Sequence, residues 1–333
     1  MTAILDVDEL TVDFVSDDTR TAAVRGVSFR VGAAERVGIV GESGSGKSVT
    51  AQALMRLLPP TATVGGRIRF ADNDVLDFDT RRLAAWRGAE IAMVFQDPMS
   101  ALNPLLRIGA QLTEGLRRHR GLSRADARRE AVRLLDQVGI ADGERRLRDY
   151  PHAFSGGMRQ RVCIAIAVAC TPALIIADEP TTALDVTVQA QVLDLLDDLT
   201  ESHGTATVLI SHDLGVVSSF CDRILIMYAG RVVEAGPTDD IIAAPAHPYT
   251  RALLDSIPRL RGPLPRRLPA IPGAPPTGGP GGPGCPFAPR CPRADDTCRS
   301  VTPEQRPVTA STVAACHHPL TSSPQFSLGR TDE

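Results

Sequence analysis

The sequence has no long uninterrupted apolar run, few aromatic residues and no excess of charge of either sign. Of its 333 residues 4% are aromatic, the formal net charge is −3, and lysine occurs once against 35 arginines. No run reaches the 18 to 20 or so apolar residues of a membrane-spanning helix, and no basic-then-apolar leader is visible. Few aromatics and near-neutral charge disfavour nucleic-acid binding. We therefore expect a cytoplasmic chain whose seven cysteines stay reduced.

Short apolar runs rich in β-branched residues alternate with longer helical patterns. The predicted strands, which read as buried on both faces, are 36–40, 91–95, 174–177, 207–210 and 224–227. The predicted helices are 47–57, 125–138, 157–169 and 186–202. Ser123 is placed to cap the second of these helices and Gly139 to close it. The alternation predicts an α/β fold with a largely parallel sheet.

The composition changes near residue 240. Residues 258–292 contain 12 prolines and 7 glycines, which exclude a regular helix or a central strand there. We therefore predict a catalytic domain over 1–240 and a loop-rich C-terminal extension over 241–333.

A phosphate-loop motif, GxxxxGK[ST], directly follows the first of these predicted strands. It is made of Gly41, Glu42, Ser43, Gly44, Ser45, Gly46, Lys47 and Ser48. Such a loop turns backbone N–H groups toward phosphate oxygens at a helix N-terminus. Lys47, the single lysine, is predicted to reach the terminal phosphates, and Ser48 to ligate Mg²⁺. The alternative interpretation is a Gly/Ser-rich turn without a ligand.

Two adjacent carboxylates end the predicted strand at 174–177. Asp178 is placed to hold Mg²⁺, and Glu179 points elsewhere and is suited to polarise an attacking water. By itself such a pair is weak evidence, because many strands end in solvated acids. Together with a phosphate loop upstream it indicates a nucleotide hydrolase.

The segment before this pair indicates which family of nucleotide hydrolases the chain resembles. It consists of Phe154, Ser155, Gly156, Gly157, Met158, Arg159, Gln160 and Arg161. With it, the chain resembles an ATP-binding-cassette ATPase, specifically the ATPase subunit of oligopeptide/dipeptide importers. The resemblance implies the P-loop NTPase fold of these ATPases: a RecA-like parallel-sheet core, an antiparallel β part and a helical subdomain at about 97–160.

The resemblance also implies roles for single residues. Gln96 corresponds to the residue that senses Mg²⁺ and the attacking water, and His212 to the one that contacts the γ-phosphate. Ser155, Gly156 and Gly157 correspond to the helix start that meets the nucleotide bound by the other ATPase subunit. Asp185 corresponds to a residue acting across that dimer interface. Phe14 is a candidate for stacking on adenine, and a core phenylalanine is the alternative.

Three segments are similar to peptide and nickel importer ATPases in particular. They are 96–104, 150–152 and 247–254. The resemblance implies a second ATPase subunit, identical or sibling, two permease subunits that dock after Gln96, and indirectly a solute-binding protein. It places the chain at the cytoplasmic face of the membrane, with ATP and Mg²⁺ as cofactors and without nucleic acid.

Four cysteines in the extension have the pattern C-x5-C-x6-C-x17-C. They are Cys285, Cys291, Cys298 and Cys316. Four thiolates in a proline-rich loop suit a [4Fe–4S] cluster or tetrahedral Zn²⁺, and zinc sites usually have closer ligand spacing. The segment resembles the C-terminal region of peptide-importer ATPases, some of which carry an iron–sulfur cluster; zinc and no metal remain the alternatives. The other three, Cys163, Cys170 and Cys221, lie in apolar patterns and are predicted to be inert core residues.

The predicted function is therefore ATP hydrolysis that energises import of short peptides through two permeases. Nickel or another small solute is the alternative cargo. Two rivals differ in class: a soluble cassette ATPase of translation or DNA repair, and a regulatory metal-binding subunit with a vestigial nucleotide site. Short insertions and the complete set of catalytic motifs disfavour both.

Overall fold

The computed structural model describes residues 3–16, 19–181, 186–257, 270–276 and 282–320. The chain divides into two compact units. The first comprises Met1–Asp6, Arg30–Arg36 and Arg69–Ile210, and the second comprises Val7–Phe29, Val37–Ile68 and Ser211–Glu333. The boundary near residue 240 is predicted from a change in composition, whereas these two units are defined by contacts. The predicted boundary therefore stays a prediction.

Strands and helices alternate through most of the described residues. The strands are β1 (Ala3–Ser16), β2 (Thr19–Gly32), β3 (Arg36–Val40), β4 (Ala62–Phe70), β5 (Asn73–Asp74), β6 (Ile91–Val94), β7 (Leu174–Asp178), β8 (Ala206–Ser211), β9 (Arg223–Tyr228), β10 (Arg231–Pro237), β11 (Arg306–Pro307) and β12 (Val313–Ala314). The helices are α1 (Lys47–Leu54), α2 (Thr80–Trp86), α3 (Pro98–Ala101), α4 (Ile108–His119), α5 (Arg124–Gln137), α6 (Gly143–Arg146), α7 (Gly156–Val168), α8 (Val186–His203), α9 (Leu214–Phe220), α10 (Thr238–Ala243), α11 (Pro248–Asp255) and α12 (Asp296–Ser300).

In the first unit, β7 is the centre of a parallel arrangement. It pairs with β6 on one side and with β8 on the other, and both pairings are parallel. All five residues of β7 are buried, as expected of a strand covered on both faces. Helices α4, α5 and α7 pack against one another in the same unit. Leu112, Leu116 and Leu134 from α4 and α5 lie in this helical core.

In the second unit, a parallel pair is extended by antiparallel strands from the C-terminal part of the chain. Strand β9 is parallel to β3 and antiparallel to β10. Strand β10 then pairs with β12, and β12 with β11. The C-terminal extension thus contributes two short strands beside β10.

The predicted regular elements are confirmed with shifts of a few residues at their ends. Strand β3 has the predicted bounds, and α1 ends three residues before its predicted end. The Ser123 hydroxyl accepts from the Asp126 N–H at the start of α5, and Gly139 closes that helix with φ +70°. In residues 270–276 and 282–292, the described parts of the proline-rich segment, the one helical element is a 3₁₀ turn at Ala288–Arg290. None of the described helices has both the length and the apolar character needed to cross a bilayer.

Candidate nucleotide-binding and metal-binding sites

The phosphate-loop residues form a loop between β3 and α1, and two glycines allow its path. A Cβ at Gly41 would lie 2.2 Å from the carbonyl oxygen of Met227, so the chain there approaches its neighbour too closely for any side chain. Gly46 precedes α1 with φ +102°, where a Cβ would lie 2.6 Å from the carbonyl oxygen of Ala23. The loop therefore ends at a helix N-terminus, the arrangement that binds phosphate through backbone N–H groups.

Lys47 is buried and its ammonium group lies over the loop. Its Nζ donates to the carbonyl oxygens of Gly41, at 2.7 Å, and Glu42, at 3.0 Å. The residue is 5% exposed, so its charge is held inside the loop rather than in solvent. Ser48 follows in the first turn of α1 and is half-buried. Ser43 and Gly44, at the tip of the loop, are exposed.

Glu42 is held at its backbone and at its side chain by residues distant in sequence. Its N–H donates to the Tyr249 hydroxyl at 2.9 Å. Its carboxylate accepts two hydrogen bonds from Arg290, from Nη1 at 2.6 Å and from Nη2 at 3.0 Å. Arg290 lies between Cys285 and Cys291 of the C-terminal extension, so the extension contacts the phosphate loop directly. Sequence reasoning missed this contact, because no local pattern links residues 248 positions apart.

In the first unit, the structure brings Gln96 and Glu179 together. The Gln96 amide Nε2 donates to Glu179 Oε2 at 3.0 Å. Glu179 adopts φ +46°, and its N–H donates to the carbonyl oxygen of Ile210 at 2.9 Å. Asp178, the last residue of β7, is 4% exposed. The Gln96–Glu179 hydrogen bond thus joins the two residues predicted to act on the attacking water, and the separate roles of Asp178 and Glu179 stay predictions.

The Ser155 segment begins a helix as predicted. Ser155 is the N-cap of α7, and its hydroxyl accepts from the Met158 N–H at 3.3 Å. Ser155 and Gly156 are exposed, and a Cβ at Gly157 would lie 2.9 Å from a methyl group of Val188. The start of α7 is therefore an uncovered helix N-terminus with two small residues, which suits a phosphate group approaching from outside.

Of the three other predicted site residues, the structure describes two. His212 directly follows β8 and is exposed, and Phe14 lies in β1 and is half-buried. Asp185 lies outside the described residues. The phosphate loop and the Asp178–Glu179 pair belong to different units. Their joint action on one nucleotide, and the roles of these three residues, stay predictions.

All four cysteines of the extension line one cavity in the second unit, together with His247 and Phe287. Burial raises the pKa of Cys316 to about 11, and the neighbouring Cys285, Cys291 and Cys298 add to the rise. Cys298 is the most buried of the four, at 7% exposure. Thiols separated by up to 31 positions in sequence thus line one cavity, and the metal centre stays a prediction.

His247 brings a polar group to the same cavity. Its Nδ1 accepts from the Tyr249 N–H at 3.0 Å at the start of α11, so in the neutral ring the proton is on Nε2. The residue is 1% exposed, and burial lowers its pKa to about 4. Within the described part of the chain, Nε2 has no hydrogen-bond partner. A buried N–H donor without an acceptor is costly, so its presence beside four thiols indicates an acceptor in the cavity.

A second set of possible metal ligands overlaps the cysteines. Among the described residues, one group of three or more His, Cys, Asp or Glu side chains has all its ligand atoms within 4.8 Å of one another: Asp295, Cys298 and His318. Asp295 is also the N-cap of α12, and it forms an ion pair with His318 at 2.8 Å. Hydrogen bonding to the Cys298 and His318 groups keeps the pKa of Asp295 well below its ordinary value. Helix capping and the ion pair explain why Asp295, Cys298 and His318 lie close together, so this group does not require a metal.

The three remaining cysteines are not among the residues that line this cavity. Cys163 and Cys221 are buried core residues, and burial raises the pKa of Cys163 to about 12. Cys170 is half-buried, so the prediction of a core position holds for it only in part.

Two family models match the sequence. Residues 24–182 match the ABC transporter model, and residues 233–298 match the model of the oligopeptide/dipeptide transporter C-terminal region. A probable peptide ABC transporter ATP-binding protein of Sinorhizobium fredii is 49% identical over 94% of both chains. The oligopeptide transport ATP-binding protein OppD of Salmonella typhimurium is 51% identical over 77% of both chains. The dipeptide transport ATP-binding protein DppD of Bacillus subtilis is 50% identical over 78% of both.

Solved structures give the same result for the cassette. A dimeric ATP-binding cassette in a post-hydrolysis state, bound to ADP and Pi, superposes with a TM-score of 0.64 and 30% identity. The superposition covers 70% of this chain and 98% of the cassette's chain. The protein cbiO1 of Clostridium perfringens, part of an ABC transporter complex, superposes with a TM-score of 0.61 and 27% identity, over 72% of this chain and 91% of its own.

Proposed function

This chain belongs to the family of ABC transporter ATP-binding subunits that carry the oligopeptide/dipeptide C-terminal region, and from that membership we propose that it hydrolyses ATP to energise peptide import. The observation that carries the proposal is the phosphate loop between β3 and α1, with Lys47 buried over it. The relatives named above are peptide, oligopeptide and dipeptide transport proteins, which supports peptides as cargo.

The triphosphate is proposed to bind at the phosphate loop. The loop residues, including Gly44 and Gly46, supply backbone donors, and Lys47 neutralises the terminal phosphates. Ser48, Asp178 and Gln96 supply oxygen ligands, the kind that Mg²⁺ prefers. Bound Mg²⁺ neutralises charge that develops on the phosphates during transfer. Phe14 is proposed to stack on the adenine, with a core role as the alternative.

Hydrolysis is proposed to use Glu179 to polarise the attacking water, with Gln96 orienting the carboxylate and His212 contacting the γ-phosphate. The Gln96–Glu179 hydrogen bond supports the first two roles. A Glu179→Gln variant should retain ATP binding and lose turnover by about 10²- to 10⁴-fold, the range for general acid–base catalysis. Glu201→Gln, at an exposed position of α8, is the matched control. Unchanged turnover in Glu179→Gln would show that the water is activated elsewhere.

Two ATPase subunits are proposed to enclose each nucleotide. One contributes its phosphate loop and the other the exposed start of α7 at Ser155 and Gly156, with Asp185 acting across the interface. The dimeric cassette bound to ADP and Pi supports this arrangement. Light scattering of Glu179→Gln with ATP distinguishes the partners, because an identical partner gives a dimer of this chain alone. A sibling partner leaves it monomeric until the sibling is added.

The permease subunits are proposed to dock after Gln96, which places the chain peripherally at the cytoplasmic face of the membrane. Met99, Leu105 and Leu106 there are 56%, 83% and 42% exposed, and a group of exposed apolar side chains in one segment supports a protein interaction site. The cargo is tested by uptake of a labelled dipeptide and a labelled tripeptide in cells lacking this gene. Loss of uptake that the wild-type gene restores, and Glu179→Gln does not, supports peptide import. Normal peptide uptake with impaired nickel uptake would instead support the alternative cargo.

The four cysteines of the extension are proposed to hold a [4Fe–4S] cluster. Zinc is the alternative, although the intervals of five, six and 17 residues between these cysteines are wider than those of most zinc sites. The Nε2–H of His247 gives a sulfur-rich anion a donor. When bound, such a cluster crosslinks its segment and supplies a one-electron redox couple.

Anaerobic purification with iron analysis and visible absorption tests the cluster. Iron, inorganic sulfide and a brown chromophore in the full chain support it. A colourless protein that contains zinc would replace the cluster by zinc, and a protein without either metal would leave the cysteines as a structural thiol cluster.

A further inference from the structure

Arg290 of the C-terminal extension donates hydrogen bonds from all three nitrogens of its guanidinium group. Its Nε donates to the carbonyl oxygen of Pro272 at 2.8 Å. Its Nη1 donates to Glu42 and to the Tyr228 hydroxyl, at 2.6 and 3.3 Å. Its Nη2 donates to Glu42 and to the carbonyl oxygen of Ile271, at 3.0 and 3.5 Å. All five N–H groups of the guanidinium are therefore used, and the side chain is 5% exposed.

Glu42 is an unfavourable residue for the place it occupies. It belongs to a loop whose backbone and lysine are arranged to attract an anion, and its carboxylate adds negative charge there. Two like charges at short range repel, and they do so more strongly where water is partly excluded. The Glu42 side chain is 25% exposed, so solvent screens it only in part. The two parallel hydrogen bonds from Arg290 offset this charge in the geometry that is strongest between a guanidinium and a carboxylate.

The position of Arg290 is set by the cysteine segment. The 3₁₀ turn Ala288–Arg290 lies between Cys285 and Cys291, and both cysteines line the common cavity. Phe287, just before the turn, packs on Tyr228 and Tyr249 with ring centroids 5.3 Å apart in both pairs. Anything that fixes the two cysteines therefore also fixes the guanidinium.

The extension borders the phosphate loop over a wider area than this one contact. A cavity of about 780 Å³ in the second unit is lined by Gly44 at the tip of the loop and by Thr21 and Ala23 of β2. Its other wall comes from the extension, including Pro286 and Pro289 on either side of Phe287. The segment that carries the cysteines thus lines a cavity that the tip of the phosphate loop also lines.

We propose that Arg290 is a positioning residue for the nucleotide: it neutralises and holds Glu42, so that the metal-bound extension sets the affinity of the phosphate loop for ATP. This inference rests on the proposed nucleotide site and adds a link from the cysteine segment to it. Since coupling between two sites is reciprocal, bound ATP stabilises the folded extension by the same factor.

The test compares ATP dissociation constants of the full chain, measured by titration calorimetry at low salt. Arg290→Gln should weaken ATP binding about tenfold, within the 5- to 150-fold range of typical coupling between sites. The loss should be smaller for ADP, which carries less charge, and smaller in high salt, which screens the Glu42 carboxylate. Arg306→Gln, which removes an exposed ion pair with Glu304 in the same extension, is the control and should bind as wild type.

The double variant Glu42→Gln/Arg290→Gln separates this role from a structural one. It removes both charges together, so ATP affinity should return to within about twofold of wild type, as double-mutant cycles detect for groups in contact. A loss in Arg290→Gln without this rescue would overturn the proposal, because misfolding of the extension is not repaired by a change at Glu42. Wild-type affinity in Arg290→Gln would also overturn it.

The link between the bound metal and the phosphate loop is tested by the same measurement, the ATP dissociation constant. Protein stripped of bound metal should bind ATP as weakly as Arg290→Gln, and stripping Arg290→Gln should weaken it no further. Equal ATP affinity of stripped and loaded wild-type protein would overturn the link to the metal. If the loaded wild-type chain does not bind ATP at all, the proposed function fails; if it binds ATP and Arg290→Gln binds equally well, this inference alone fails.

Discussion

The phosphate loop and the cysteine cavity lie in the same unit, and they gather charged groups by different means. The loop is placed by a strand and a helix, β3 and α1, and its donors are backbone groups that any sequence with the right glycines presents. The cavity is lined by side chains from separate positions in the sequence, and Cys285, Cys291, Cys298 and Cys316 are among them. The loop thus depends on local conformation, whereas the cavity depends on tertiary packing that brings together residues distant in sequence.

The largest expected effect is on ATP affinity, from a substitution in the phosphate loop that leaves the cysteine cavity unchanged. Lys47→Ala should weaken ATP binding by about two orders of magnitude, because truncating one partner of a buried charged contact costs that much. Metal content should stay at the wild-type level. Calorimetry and metal analysis on the same preparation check both, with Arg67→Gln, an exposed cation of β4, as control. Loss of metal in Lys47→Ala would mean that the two regions fold as one.

A smaller effect on ATP follows from breaking the cavity. Cys298→Ser should lose the bound metal and lower the melting temperature, since metal binding contributes folding free energy. ATP affinity should fall about tenfold, by way of Arg290. Cys170→Ser, a half-buried thiol outside the cavity, should change none of these. Full metal content in Cys298→Ser would exclude Cys298 as a ligand.

The smallest effect concerns a charge network distant in sequence from both regions. Glu130 in α5 accepts from Arg133 and Arg120, and these hydrogen bonds lower its pKa from 4.5 to about 2. A depressed pKa in the folded state stabilises the protein above pH 4.5, and that contribution is lost as pH falls toward 2. Glu130→Gln should therefore lower stability by about 1 kcal/mol or less at pH 7, and by less at pH 3.

Melting curves of Glu130→Gln and wild type across this pH range measure the difference. Exposed Glu144→Gln, whose pKa is also lowered by an arginine, is a matched control in the same unit. An equal destabilisation by Glu130→Gln at pH 7 and pH 3 would contradict the assignment. A changed ATP affinity would show that the helices of this unit influence the loop.

The helices and strands that could be predicted from the sequence are those whose formation depends on residues close together in the chain. Apolar β-branched runs placed β3 and β7, and Ser123 placed the start of α5, because each pattern acts within a few residues. The phosphate-loop glycines and the helix start at Ser155 were predictable for the same reason.

The contacts between distant residues could not be predicted. Nothing near Glu42 in the sequence indicates Arg290, and nothing near His247 indicates the four thiols beside it. Both contacts depend on how the extension folds back over β9 and α11, which is decided by tertiary packing. The short strand β12 was missed because two residues give no periodic pattern.

That short strand has a consequence for shortened forms of the protein. Strand β10 would present a row of unpaired N–H and C=O groups, but Val313 and Ala314 pair with it, and the Ala315 N–H donates to Val233 at 2.8 Å. The Gln305 side chain donates to Val232 along the same edge. Uncovered sheet edges recruit other chains. A chain cut just after α12 would lose both short strands and leave the β10 edge unpaired, so we expect it to self-associate in solution.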